Sequence, residues 1–150
     1  MIVYRISNEL YKNDISGNGA AINGSRWNSK NIKMLYTAEY ISLCILESMV
    51  HLAKTNIPLN QFLLTIQLPE VEIQNIKLVN LKDKWQHHLN YTQWIGDQFI
   101  SSGQSLILKV PSAIVPQEHN LLVNTLHADF KKVKLLNNEL LELDKRLFQI

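Results

Sequence analysis

The sequence predicts an α+β fold: one domain over residues 1–150 with a largely antiparallel or mixed sheet. Short β-branched runs and helix-like runs alternate irregularly along the chain, joined mostly by short connections, with no repeated βαβ ladder. No G-x-G-x-x-G lies between a strand and a helix, and no P-loop motif is present. Both absences argue against a doubly wound dinucleotide fold.

Residues 1–6 are short, apolar and β-branched and read as a first strand with Arg5 near its end. Residues 7–30 form a long, polar, glycine-bearing loop, and a loop of that length inside a domain usually carries function. Ala20, Ala21, Ile22 and Trp27 supply apolar side chains to pack it down. A second strand is expected over 32–36. Thr37 then reads as the N-cap of a helix over 38–54, free of Gly and Pro and followed by Pro58. On a helical wheel Ile41, Ile45, Met49 and Leu52 form an apolar stripe widened by Leu46 and Ala53. Glu47, His51 and Lys54 share the opposite side.

Residues 62–68 predict a buried strand stopped by Pro69. Residues 71–79 alternate weakly, and 82–88 read as a charged turn or short helix. A helix is expected over 92–101, ended by Gly103, and a strand over 105–110. Residues 121–124 and 133–136 are further strand candidates, and 137–150 read as helix on propensity.

Composition narrows the function classes. Nearly half of the 150 residues are apolar, the signature of a globular chain rather than a disordered one. A formal charge of +2 gives no basic footprint for direct nucleic-acid binding. No apolar run reaches the roughly 18–20 residues that span a bilayer. The first residues lack the basic start and long apolar stretch of a signal peptide. These features predict a soluble, cytoplasmic protein without a membrane segment. The single Cys44 rules out an intrachain disulfide and, set in an apolar helical run, reads as a buried inert thiol. Adjacent His87 and His88 point apart, and His119 and His127 lack zinc-ligand spacing, so no metal is expected.

The chemistry-bearing residues concentrate in 16–51, SGNGAAINGSRWNSKNIKMLYTAEYISLCILESMVH. Arg26 follows three glycines, and a guanidinium fork matches phosphate oxygens. Its other reading is a solvated or paired surface cation. Glu47 is either a solvent-facing residue beside His51 or a carboxylate lining a cleft, and the wheel does not separate these. Tyr36 reads as a packing aromatic or a stacking platform. Ser112, between Pro111 and Ala113, reads as a turn residue using its hydroxyl locally.

Taken in order, these segments resemble the RES domain family, named for its Arg, Glu and Ser. Tyr4-Arg5 looks like the family's opening motif, and SGNGAAINGSRWN looks like its G-A…G-G-R-W-N box. MLYTAEYISLCILESMVH, WIGDQFI and LILKVPSAIVPQEHNLLVN, with His127 behind them, are similar to its remaining motifs. The chain departs from the pattern at Ser25, where the family usually has a second glycine, and at Gln98-Phe99, where Trp is usual.

The resemblance implies a toxin of a bacterial toxin–antitoxin pair with a fold similar to ADP-ribosyltransferase toxins. It implies NAD+ as substrate, consumed by hydrolysis or phosphorolysis, or used to ADP-ribosylate a protein. It also implies a helix-turn-helix (Xre-type) antitoxin as partner and a homodimer within the toxin–antitoxin complex. On the matching positions, Glu47 would be the catalytic carboxylate, Arg26 would hold the pyrophosphate and Tyr36 would stack near the nicotinamide. Ser112 would line the nicotinamide pocket, with Arg5, Asn120 and His127 lining the same cleft. A carboxylate suits the chemistry, because loss of neutral nicotinamide leaves positive charge on the ribose. The alternatives are protein ADP-ribosylation from the same cleft and a catalytically silent module acting only through its antitoxin. If the cleft reading holds, the Glu47 face points toward Arg26 and Ser112.

Overall fold

The computed structural model describes residues 1–51 and 60–148. Seven strands form one mixed sheet: β1 (Ile2–Asn8), β2 (Leu35–Ala38), β3 (Gln61–Gln67), β4 (Ile73–Asn75), β5 (Ile107–Pro111), β6 (His119–Val123) and β7 (Lys134–Leu140). Their spatial order is β4-β5-β6-β2-β1-β3-β7. The β4–β5 pair is parallel and the other neighbours are antiparallel, so the expected α+β class with a mixed sheet holds. Among the described residues three α-helices accompany the sheet: α1 (Asn18–Asn23), α2 (Ile41–His51) and α3 (Leu89–Ser102). None of the described helices is long and apolar enough to cross a membrane.

Alternation of side chains along β5 and β6 separates two cores. Leu108, Val110 and Leu122 pack with Phe99 and Ile100 of α3 and with Trp27 and Trp85. Ile107, Leu121 and Val123 join Val3, Leu35 and Ile66 in a second cluster. Under α2 the packing is thin, limited among fully buried apolar residues to Ala38, Leu43 and Cys44.

One irregularity in the sheet positions the site. β1 pairs with β3 over its whole length, from Ile2 opposite Gln67 to Asn8 opposite Gln61. It pairs with β2 only at Tyr4 opposite Ala38. The two central strands therefore splay apart beyond that point, and a crevice opens between them.

Several local expectations change. β2 begins three residues later than expected, and Thr37 lies inside it rather than capping a helix. Its buried Oγ1 donates to the Leu121 carbonyl across the sheet at 2.7 Å, because a buried hydroxyl needs a partner. The helix starts at Ile41. Its packed face is Leu43 and Cys44, while Ile41 and Leu46 of the apolar stripe are exposed. The wheel finds the greasiest face, but tertiary packing turned the helix so that its more polar side meets the crevice. Leu52, Ala53, Lys54 and Pro58 lie outside the described residues. Ile22 does not pack the loop down and is exposed, whereas Trp27 is buried. The segment expected to be a C-terminal helix instead continues β7 to Leu140, paired with β3, before a short 3-10 turn at Lys145–Phe148. An open sheet edge supplied hydrogen bonds that outweighed helix propensity.

Candidate active site

The crevice between β1 and β2 holds a cavity of about 550 Å³, within the usual size of small-molecule sites. The glycine-bearing segment walls one side through Gly19, Asn23 and Ser25, and β2 contributes Tyr36 and Ala38. α2 contributes Glu47, Ser48 and His51, and β6 contributes Asn120.

Glu47 is held at one oxygen. Its Oε1 accepts from Ser112 Oγ at 2.7 Å and from Asn120 Nδ2 at 2.8 Å. Ser112, fully buried in the turn after β5, also accepts backbone N–H bonds from Ile114 and Val115. With both acceptor sites of the hydroxyl used, its proton points to Glu47. The local turn role expected for Ser112 and its link to Glu47 are thus one arrangement. No hydrogen bond from the described residues reaches Glu47 Oε2, although Glu47 lines the cavity.

Arg5 crosses the splayed strands. Its Nη1 donates to the Tyr36 carbonyl at 3.2 Å, closing the gap that the missing β1–β2 ladder leaves. Its Nε is buried without a partner among the described residues. Burial lowers the Arg5 pKa, opposed by weaker interactions that include the Asp14 carboxylate, yet a guanidinium stays charged at neutral pH.

Tyr36 lines the cavity with its hydroxyl fully engaged. Its Oη donates to Asn28 Oδ1 at 2.6 Å and accepts from the Trp27 backbone N–H at 3.0 Å. Burial pushes its pKa well above the ordinary phenol value. The group is a clasp on the Trp27–Asn28 loop and not a poised acid or base.

Arg26, expected at a phosphate, does not line the cavity. Its Nη1 donates to the Gln86 carbonyl at 2.8 Å, and its Cζ sits 5.9 Å from the Trp85 ring centroid. A carbonyl and an aromatic face bind the guanidinium to the segment before α3. Its neighbour Ser25 lines the cavity instead. His127 is also elsewhere: it caps the 3-10 turn Ala128–Lys132, accepting from Asp129 N at Nδ1. The structure therefore brings together Arg5, Tyr36, Glu47 and Asn120, adds Ser112 through Glu47, and leaves out Arg26 and His127. Cys44 lies on the cavity wall, and burial pushes its thiol up to about 12, so it stays protonated and inert.

Side chains of α3 outside the candidate site residues named from the sequence hold the glycine-bearing loop. Gln93 Nε2 donates to the Ser25 and Asn28 carbonyls, and the Asp97 carboxylate accepts from Ser29 N and Oγ. Gly96 between them allows contact: a Cβ there would stand 1.6 Å from the Trp27 carbonyl oxygen. At the loop's own turn, Gly24 has φ +71, a conformation that side chains other than glycine rarely adopt. The i,i+4 spacing of Gln93 and Asp97 was the available signal, since it sets two polar side chains on one face of α3. No group of His, Cys, Asp and Glu that could hold a metal occurs among the described residues.

The RES domain family model matches residues 2–144. The chain belongs to the RES domain family. Among curated relatives, it is 36% identical over 126 residues to the Prs ADP-ribosylating toxin of Sphingobium sp. (strain YBL2), covering 81% of this chain and 78% of that protein. It is 32% identical over 150 residues to Toxin Res of Pseudomonas putida (strain KT2440), covering 99% of this chain and all (100%) of that protein. Its fold is similar to a solved structure described as the M. tuberculosis MbcT–MbcA toxin–antitoxin complex. There the TM-score is 0.72 at 19% identity, over 99% of this chain and 86% of that one. Against the RES motifs, the Ser25 departure falls on the cavity wall, and Gln93 takes up its backbone carbonyl.

Proposed function

We propose that this RES domain is the toxin of a bacterial toxin–antitoxin pair and cleaves the nicotinamide–ribose bond of NAD+. The observation that carries the reading is Glu47: a carboxylate anchored at Oε1, with Oε2 unengaged by the described residues, on a cavity that also holds a half-buried guanidinium.

In this reading the nicotinamide mononucleotide half enters the crevice beside Tyr36 with its phosphate on Arg5. Glu47 Oε2 accepts hydrogen bonds from the ribose hydroxyls. As the C–N bond breaks, nicotinamide leaves as a neutral base with the bonding electron pair, and positive charge builds on the ribose. A fixed carboxylate in a partly water-excluded cavity stabilises that charge. Water or phosphate then attacks the same carbon and loses a proton. Ser112 and Asn120 act through Glu47, holding it in place before the substrate binds. Arg26 steadies the loop that walls the cavity and contributes no direct phosphate contact.

The name of the Sphingobium relative favours a second reading, transfer of ADP-ribose to a protein from the same cavity. Incubation of the purified protein with NAD+ labelled on the adenosine side separates the two. Free ADP-ribose, or its phosphate ester when phosphate is present, marks consumption; labelled protein bands in a cell lysate mark transfer. Wild-type protein that releases no nicotinamide under either condition contradicts both.

The partner in this proposal is a helix-turn-helix (Xre-type) antitoxin, and the toxin is a homodimer within the complex. The likeness to the MbcT–MbcA structure and the names of the curated relatives support an antitoxin partner. The site of action is the cytoplasm, where NAD+ is abundant. A net charge of +2 gives no reason to add direct nucleic-acid binding.

A further inference from the structure

A second cavity of about 320 Å³ adjoins the first. Arg5, Gly19 and Asn23 line both, so the two chambers meet at one guanidinium and one turn of α1. Tyr11, Asp14, Asn18 and Ile22 line only the second. We infer that this second chamber seats the adenosine half of the dinucleotide whose nicotinamide half occupies the first, with the linking pyrophosphate at Arg5. The inference rests on the function proposed above and deepens it.

Three features carry it. First, the shared wall is cationic: Arg5 lines both chambers, and its Nη1 is tied to the Tyr36 carbonyl. An anion linking the two chambers would meet the guanidinium at their junction, where its charged fork of donors suits phosphate oxygens. Second, the lining of the second chamber suits a nucleoside. Tyr11 and Ile22 are large side chains left 51% and 60% exposed beside it, and an aromatic ring with an aliphatic neighbour suits the faces of a purine. Asn18 and Asn23 offer amide donors and acceptors for a base edge. The exposure of Ile22, unexplained by the packing of its own loop, then has a use. Third, Asp14 sets a charge on the same wall. Its Oδ1 accepts from Ser16 N at 2.8 Å. A carboxylate in an adenosine site accepts from the ribose 2′-hydroxyl and repels a 2′-phosphate. The chamber therefore selects NAD+ over NADP+.

The test compares NAD+ with nicotinamide mononucleotide, which carries the scissile bond and one phosphate but no adenosine. Asn18→Trp fills the second chamber and Tyr11→Ala removes its aromatic wall. In each, the kcat/KM ratio of NAD+ over the mononucleotide falls about tenfold, equivalent to ~1.4 kcal/mol. AMP is expected to compete with NAD+ on the wild type, and in these variants its inhibition weakens in parallel. Asp14→Asn keeps the acceptor for Ser16 N and narrows the preference for NAD+ over NADP+. A ratio unchanged in both chamber variants, or both substrates falling together, overturns the adenosine assignment while leaving NAD+ cleavage standing. Failure of the wild type to release nicotinamide from either substrate overturns the proposed function, and this inference with it.

Discussion

The Ser112 hydroxyl donates to Glu47 Oε1 at 2.7 Å, across 65 positions of sequence. Two backbone N–H groups hold the same hydroxyl oxygen, so its proton has one direction. Ser112→Ala removes that donor and leaves Asn120 as the only described hydrogen-bond partner of Glu47. The expected result is a kcat lower by roughly tenfold to a hundredfold with KM for NAD+ little changed, because the loss falls on charge stabilisation. Ser112→Thr, which keeps the hydroxyl, restores part of the rate in the same steady-state assay.

Tyr36→Phe separates clasp from catalyst. It removes the bonds to Asn28 and Trp27 while keeping the ring on the cavity wall. Leaving the Trp27 N–H and Asn28 Oδ1 unpaired costs about 1–3 kcal/mol of stability. Denaturant melts register that loss, and nicotinamide release at a temperature where the variant is folded stays within a few fold of wild type.

The two arginines differ in readout. Arg5→Lys keeps a charge but loses the fork, and KM for NAD+ rises roughly tenfold or more. Arg26→Ala breaks the bond to the Gln86 carbonyl and the contact with Trp85, so it lowers stability by about 1–2 kcal/mol with a smaller change in KM. Steady-state kinetics beside thermal melts distinguish these effects.

Gly96→Ala places a methyl where the Trp27 carbonyl oxygen stands. The helix and the loop must separate, and the variant loses several kcal/mol or fails to fold, a value in the exceptional tail for single substitutions. Urea unfolding measures it.

Acid weakens the fold through Glu39. Burial alone would raise the pKa of this carboxyl, but Lys109 at 2.8 Å and His119 at 3.2 Å outweigh burial and lower it. A carboxyl with a depressed folded-state pKa adds stability above its unfolded pKa and loses it as pH falls through the folded value. Glu39→Gln is therefore less stable than wild type at neutral pH, and the difference shrinks below the ordinary carboxylate range.

The fold class was legible because the short apolar strand-like runs over 62–68 and 105–110 and the helix stop at Gly103 survive into the structure nearly where the sequence sets them. The orientation of α2 was not legible. Its apolar stripe is a true property of the sequence, yet the splay between β1 and β2 leaves a crevice that takes the Glu47 side. Glu47 and Ser112 could be found as residues but not as a pair, since a hydrogen bond across distant segments has no local pattern. Arg26 shows the reverse case. A guanidinium after three glycines suits a phosphate, but here it is engaged by a carbonyl at Gln86 and the ring of Trp85. Arg5, in a plain strand, gained its position from a topology that no short window contains.

Nicotinamide release from NAD+ by purified wild type and Glu47→Gln tests the central claim most directly. Gln keeps the size of the side chain and an oxygen for Ser112 and Asn120, so the fold persists while the charge is lost. The wild type should release nicotinamide in step with ADP-ribose or its phosphate ester, and the variant should be slower by roughly a hundredfold or more. A folded Glu47→Gln protein that works at the wild-type rate, or a wild type that releases none, contradicts the account.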